Sequence, residues 1–392
     1  MKNAIVINIY LTTEKGEKHP FDHPTPLEEF EEKNTFFDTL KSINELEVPE
    51  NEEIKLYIFA IAANEITKKD NIIYEKVNKL MNESRFEYEI YTNTDILNLR
   101  EKYKSDFFSV KGYPEIRNQG FIIPLINKED IIIQIDDDEL LRKNYFKKTV
   151  KILKENPDKF IITAPYEKNG TVRIMGEDPV KSWKKFSSMD MDIIELSKDE
   201  NIKESTFGFG GNMIVRKEFA EKMLYPLDVP RGEDFSLLLA SRLIYENGNK
   251  YINISKKQNI FRSYYISDKD LTIIHKPPVE AKKDIMFYIE KNMKRFIMEW
   301  NMFINQEELK IEDLKKLSNY LYYMIGYQDM KEYLKDILKE VEEKYTDQNT
   351  ERLKEELLSF MDKWNKNNKN RFEDYKKVQR DYINFINKIR TN

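Results

Sequence analysis

The sequence predicts an α/β fold: a mostly parallel sheet flanked by helices, followed by an all-helical C-terminal extension. Three observations predict it. Short β-branched runs alternate with stretches of helical period from Ala4 to His275, the pattern of a helix-covered parallel sheet. One of those runs, Ile131 to Ile135, is apolar on both faces and ends abruptly in Asp136, Asp137, Asp138 and Glu139, a buried strand with acid at its tip. After Pro278 proline disappears, and Lys, Glu, Asn, Leu and Tyr crowd the chain.

With 392 residues the chain can bury a sizeable core and, by a soft prior of ~150 residues per domain, fits two domains, placed at 1–278 and 279–392. It has no cysteine, which excludes disulfides, thiol catalysis and cysteine-based zinc sites and fits a reducing compartment. Three histidines, His19, His23 and His275, leave little room for histidine-rich metal chemistry. Lys plus Arg number 65 against 70 Asp plus Glu, a formal charge of −5, so no overall basic field advertises nucleic acid. No apolar stretch approaches the ~18 residues of a membrane span, and the reading is a cytoplasmic protein.

The elements follow in order. Ala4 to Leu11 reads as the first strand. The segment with His19, Pro20, His23, Pro24 and Pro26 is a proline-broken loop without the fixed spacing that metal-binding histidines need. Phe36, Phe37, Leu40, Ile43 and Leu46 recur at helical spacing, closed by Pro49. Ile54 to Ala63 is the second strand, Ile73, Val77 and Leu80 mark a helix, and Phe86 to Thr92 alternates as a third strand. Asp95 is placed as the cap of a helix through Tyr103. A helix starting near Arg117-Asn118-Gln119-Gly120 leads to the acidic strand, a helix from Leu140 to Leu153 leaves it, and Phe160 to Pro165 is a further strand. In the C-terminal part, Met286, Ile289, Met293, Phe296, Ile297 and Trp300 form one apolar stripe. Leu353, Leu357, Phe360, Met361 and Trp364 form a second, and Tyr375, Val378, Tyr382, Phe385, Ile386 and Ile389 a third. The favoured reading packs these faces on one another or on the α/β part of the chain, with a homodimer interface or a peripheral membrane contact as alternatives. Asn365 to Asn370 reads as a linker between helices.

The acids carry the chemistry. Side chains alternate along a strand, so Asp136 and Asp138 point to one side and Asp137 to the other. Two carboxylates on one side repel unless a cation lies between them, and hard oxygen ligands suit Mn²⁺ or Mg²⁺ with positions left for substrate phosphates. A second account makes the same acids a helix N-terminus, with Asp138 capping Glu139 to Leu153. Ligands of open α/β sheets lie beyond the carboxyl ends of the strands, where these acids stand.

A second block runs from Phe207 through Gly210-Gly211-Asn212 to Pro230-Arg231-Gly232-Glu233-Asp234, a Leu-rich helix with Arg242-Leu243, and Gly248. Taken alone it is a turn followed by an N-cap pair. Leu271 to Ile274 then ends in His275, Lys276, Pro277 and Pro278. In this order and spacing, the Arg-Asn-x-Gly helix, the Asp-x-Asp strand end, the Gly-Glu-Asp turn with its later Arg-Leu, and the histidine before prolines resemble GT-A glycosyltransferases of the family 2 type. The resemblance covers about residues 4 to 278.

The resemblance implies a nucleotide-sugar donor, with a UDP-sugar favoured, and a glycan, lipid-linked or small-molecule acceptor. Asp136, Asp138 and His275 are then metal ligands for Mn²⁺ or Mg²⁺. Arg117, Asn118, Asp136, Gly210 and Gly211 hold the donor, Asp234 is the catalytic base of an inverting reaction, and Glu233 positions it. The segment from Lys168 to Glu204 would carry acceptor loops. The chain departs from the family pattern at its start, where the His- and Pro-containing insertion replaces the usual nucleotide-binding turn, and at Asn64-Glu65, where an Asp is typical. A retaining transferase with the same metal site, a sugar-phosphate nucleotidyltransferase and a non-catalytic interaction protein are the competing readings. The nucleotidyltransferase lacks its Gly-rich phosphate loop after the first strand, and the intact acids argue against decay.

Overall fold

The structure, a computed structural model, describes residues 1–14, 17, 21, 24–173, 184–227, 229, 232–247, 262–277, 285–303, 318–320, 322, 329–345 and 350–391. His19, Pro20, His23, Pro230, Arg231, Gly248 and Pro278 lie outside the described residues, as do residues 174–183 of the expected acceptor segment.

The described strands are β1 (Lys2–Thr12), β2 (Thr25–Pro26), β3 (Glu53–Ala62), β4 (Glu87–Tyr91), β5 (Ile131–Asp136) and β6 (Glu139–Leu140), then β7 (Ile161–Thr163), β8 (Tyr166–Glu167), β9 (Lys203–Glu204), β10 (Met213–Arg216), β11 (Ser263–Tyr265) and β12 (Ile273–His275). The main sheet has the order β4-β3-β1-β5-β10-β7-β11-β9, with β2 pairing the end of β1. Strands β4, β3, β1 and β5 are parallel. β10 is antiparallel to both its neighbours, β5 and β7. A small second sheet has the order β6-β12-β8.

Strand periodicity sorts the core onto two faces. Ala4, Val6, Tyr57, Phe59, Ile61 and Ile132 face the helix Tyr113–Ile126. Ile5, Ile7, Ile9, Leu56, Ile58, Ile133 and Ile135 face the helices Phe36–Asn44, Asp70–Met81 and Tyr145–Glu155. Runs apolar on both sides therefore become interior strands, as their composition predicts.

Three local expectations are corrected. Asp95 is not the cap of its helix: Thr92 is, and Asp95 sits one turn in, its carboxylate accepting from the Thr92 amide at 2.8 Å in a capping box. The helix after the acids begins at Tyr145, not Leu140, because Glu139 and Leu140 pair with β12 as strand β6. Tertiary pairing overrides local helix propensity there. The Arg117-Asn118 pair lies inside its helix, which starts at Tyr113 with proline in the first turn.

The C-terminal helices Ile285–Asn301, Met330–Lys344, Thr350–Asn367 and Arg371–Thr391 join the first face of the sheet in one continuous core. Tyr375 donates to the Leu224 carbonyl at 2.8 Å, Gln379 to that of Lys222 at 2.7 Å and Tyr382 to that of Ala220 at 2.7 Å. Phe385 stands 5.4 Å from Phe107 and 5.7 Å from Phe108. The stripes read from the sequence thus pack inward at their described side chains, a set that does not include Trp300. Among the described residues, no helix is long and apolar enough to cross a membrane.

Candidate active site

β5 delivers its acids beyond the sheet, and a tight turn at Asp137-Asp138 folds the chain back into β6. Antiparallel pairing sets Glu139 directly opposite His275 and Leu140 opposite Ile274. The Lys276 amide donates to the Asp138 carbonyl at 2.7 Å, which fixes the turn against β12. Arg142 supports β12 from outside, donating to the Thr272 carbonyl at 3.2 Å and to Glu167 at 2.6 Å.

One ligand atom each from Asp138, Glu139 and His275 falls within 4.8 Å of the others. His275 Nδ1 is buried 3.5 Å from Asp138 Oδ1 yet makes no hydrogen bond, while the Glu139 carboxylate neighbours the Tyr166 hydroxyl and accepts from the Asp136 amide at 2.8 Å through Oε2. A buried imidazole nitrogen without a hydrogen bond, beside two carboxylates, fits a divalent cation held by mixed oxygen and imidazole donors. Charge agrees with this: burial pushes the Glu139 carboxyl well above the usual range, with Asp136 and Asp138 adding to it. Burial and the same neighbours raise Asp137 too. A cation would relieve that concentration of negative charge.

Asp136, expected among the metal ligands, is held elsewhere. Both its oxygens accept from Arg117 Nη2 at 3.1 Å. The same guanidinium donates to Glu233 Oε1 at 3.0 Å and to the Gly210 carbonyl at 3.1 Å. Burial raises the Asp136 carboxyl, and Arg117 opposes that rise. Asp137 faces the other way, accepting from Thr35 Oγ1 at 3.3 Å, as strand alternation predicts.

Gly210 links the two halves of the site. Its carbonyl is bound by Arg117, and its amide donates to Asp234 Oδ2 at 3.0 Å. Asp234 Oδ1 accepts from the Phe235 amide at 2.9 Å, so the carboxylate is oriented by two backbone donors while staying partly exposed. Glu233 is buried at the start of the helix Glu233–Asn247, and Gly232 before it has φ of +80°, the left-handed conformation that glycine favours. A Cβ on Gly210 would lie 3.0 Å from Arg117 Cζ, and one on Gly211 would overlap Glu139 Oε1 and the Tyr166 hydroxyl. The glycines thus admit the arginine and the acid close to the backbone.

Asn118 is occupied structurally. It accepts from the Tyr225 amide at 2.8 Å and donates to the Tyr225 carbonyl at 3.1 Å. Its neighbour in the motif, Gly120, lets the helix approach Gln134 and Val6 on the sheet.

The chain is similar to a mannosyltransferase from Pyrobaculum calidifontis in complex with GDP-Man and Mn²⁺, with a TM-score of 0.44 and 10% identity, covering 98% of this chain and 85% of that one. It is also similar to a mycobacterial protein, at TM-score 0.37 and 9% identity over 75% of this chain and 74% of that one. A third is mouse xyloside xylosyltransferase 1 in its apo form, at TM-score 0.30 and 16% identity, covering 67% and 80%. No family model matches the sequence, and no curated protein does.

Sequence reasoning missed two residues at the centre of this arrangement. One account of the sequence makes Glu139 the first residue of a helix, whereas the structure pairs it with β12 and so brings it beside Asp138 and His275. Tyr166 carries no motif signal at all. Its ring stacks on Phe209 at 4.3 Å and on His275 at 5.5 Å, and so fixes the imidazole plane.

Proposed function

We propose that the chain is a metal-dependent glycosyltransferase of the GT-A type, moving a sugar from a nucleoside-diphosphate sugar to a hydroxyl of a glycan, lipid-linked or small-molecule acceptor with inversion. The observation that carries the reading is the convergence of Asp138, Glu139 and His275, with the buried His275 Nδ1 making no hydrogen bond, beside the Arg117 junction that leads to Asp234. Asp138, Glu139 and His275 would hold Mn²⁺ or Mg²⁺. When bound, that ion supplies charge neutralisation for a departing diphosphate.

Arg117 holds Asp136 and Glu233 at fixed distances, and together with Asp136 it lines the place assigned to the nucleotide. Asp234 takes the proton of the acceptor hydroxyl during in-line attack. Its orientation by the Gly210 and Phe235 amides supports that role, since a base must meet its proton at a fixed angle and distance. Glu233, tied to Arg117, keeps the helix start carrying Asp234 in register with the donor side.

The test is thermal melting with UDP, GDP, CDP and their sugar conjugates, each in Mn²⁺ and in EDTA, with UDP-sugars tried first. Binding to the native state stabilises it, by ~2.7 kcal/mol at a hundredfold excess over Kd, and so raises the melting temperature. A metal-dependent shift confined to one nucleotide supports the reading and fixes the donor base. The absence of a shift with every nucleotide contradicts it. Release of pyrophosphate from a nucleoside triphosphate and a sugar phosphate would contradict it in favour of nucleotidyl transfer.

A further inference from the structure

The C-terminal helical segment reaches the helix start that carries Asp234. Glu299, in the helix Ile285–Asn301, is 1% exposed, and its carboxylate occupies the space that a Cβ on Gly232 would take. That carboxylate is held in turn: the Tyr320 hydroxyl donates to Oε2 at 3.2 Å, and Arg295 Nε stands 3.3 Å from Oε1. The Tyr320 ring lies 5.0 Å from that of Phe235, on the other side of Asp234. Its backbone is anchored by Asp192, which accepts from Ser318 Oγ at 2.6 Å, from the Asn319 amide at 2.6 Å and from the Tyr320 amide at 3.0 Å.

We propose that Glu299 is a positioning residue for Gly232 and the helix start that carries Asp234, so that the C-terminal helices complete the active site rather than merely cover the sheet. The inference rests on the reading of Asp234 as the base. A buried carboxylate is costly unless it is paired, and an apolar side chain would fill the same volume at no such cost. Here the acid accepts from a tyrosine, lies within ion-pair distance of an arginine and is pressed against a left-handed glycine two residues before Asp234. With Glu299 in that space and Tyr320 against Phe235, the helix start is braced at the residues before and after the base. The brace keeps Asp234 on the Gly210 and Phe235 amides.

The test is site-resolved amide hydrogen exchange on the full chain, comparing the wild type with Glu299→Ala, Glu299→Gln and Tyr320→Phe, together with kcat and donor KM. Glu299→Ala is expected to speed exchange of the Gly210 and Phe235 amides by at least about tenfold while leaving the β5 amides unchanged. kcat falls with donor KM unaltered, and Glu299→Gln, which keeps the volume and an acceptor for Tyr320, restores much of both. Unchanged exchange at those two amides overturns the proposal, and so does a parallel rise in β5, which would mark general destabilisation. If Glu299→Ala does not fold, Tyr320→Phe decides by the same readout. Exchange needs no substrate, so localised loosening in a protein that binds no nucleotide would sink the transferase reading and leave the brace standing.

Discussion

Glu139 and His275 stand directly opposite one another in the antiparallel pair of β6 and β12. They lie 136 positions apart in the chain, and the register of a three-stranded sheet places them beside Asp138. Strand register, more than any motif, therefore defines the candidate metal centre. A one-residue slip would turn His275 to the opposite face.

Loss of either partner in that pair should weaken metal binding selectively. His275→Ala and Glu139→Gln are each expected to reduce Mn²⁺ affinity by at least about tenfold, an effect that even outer-shell partners of metal sites produce. Asp137→Asn, on the side of Thr35 and Thr39, should leave it unchanged. Titration followed by electron paramagnetic resonance of free Mn²⁺ checks all three.

Asp234→Asn should separate chemistry from binding. Removing a general base costs ~10²- to 10⁴-fold in rate, while the asparagine oxygen can still accept one backbone hydrogen bond. The expected result is lost kcat with donor affinity within a few-fold of the wild type. Equal loss of both would refute the base assignment.

Gly211→Ala tests the close approach of Glu139. The new methyl would overlap the Glu139 carboxylate and the Tyr166 hydroxyl, which overpacking data put at ~1–3 kcal/mol. Lower thermal stability together with weaker Mn²⁺ binding is expected, since the strain falls on a ligand. The matched change Gly170→Ala at a point open to solvent, where strain comes from φ of +78° alone, should spare Mn²⁺ binding.

Arg117→Ala would leave Glu233 and Asp136 without the guanidinium between them. Breaking a buried ion pair by deleting one partner costs about 3–5 kcal/mol, so the urea midpoint should fall substantially. Bound Mn²⁺ should recover little of that loss, because the deleted group contacts Asp136 and Glu233 and not the Asp138, Glu139, His275 set.

The parallel sheet was legible because its interior strands are apolar on both faces, as Ile131 to Ile135 show. The pairing of Asp138 with His275 was legible through motif order. The role of Glu139 was not, since local sequence cannot tell the first turn of a helix from a two-residue strand whose partner lies in β12. For the same reason Asp136 read as a metal ligand: alternation put it beside Asp138, while the claim of Arg117 upon it depends on a helix packed across the sheet. The C-terminal stripes announced their burial, but the contact of Glu299 with Gly232 joins two segments that share no sequence signal.

Calorimetric titration of the nucleoside diphosphate found in the melting panel tests the central claim most directly, run with the wild type in Mn²⁺, the wild type in EDTA and Asp138→Ala in Mn²⁺. Binding in the first condition and its loss in the other two is the predicted result. Equal affinity in all three would mean that nucleotide recognition does not pass through Asp138, Glu139 and His275, and the account of this site would be contradicted.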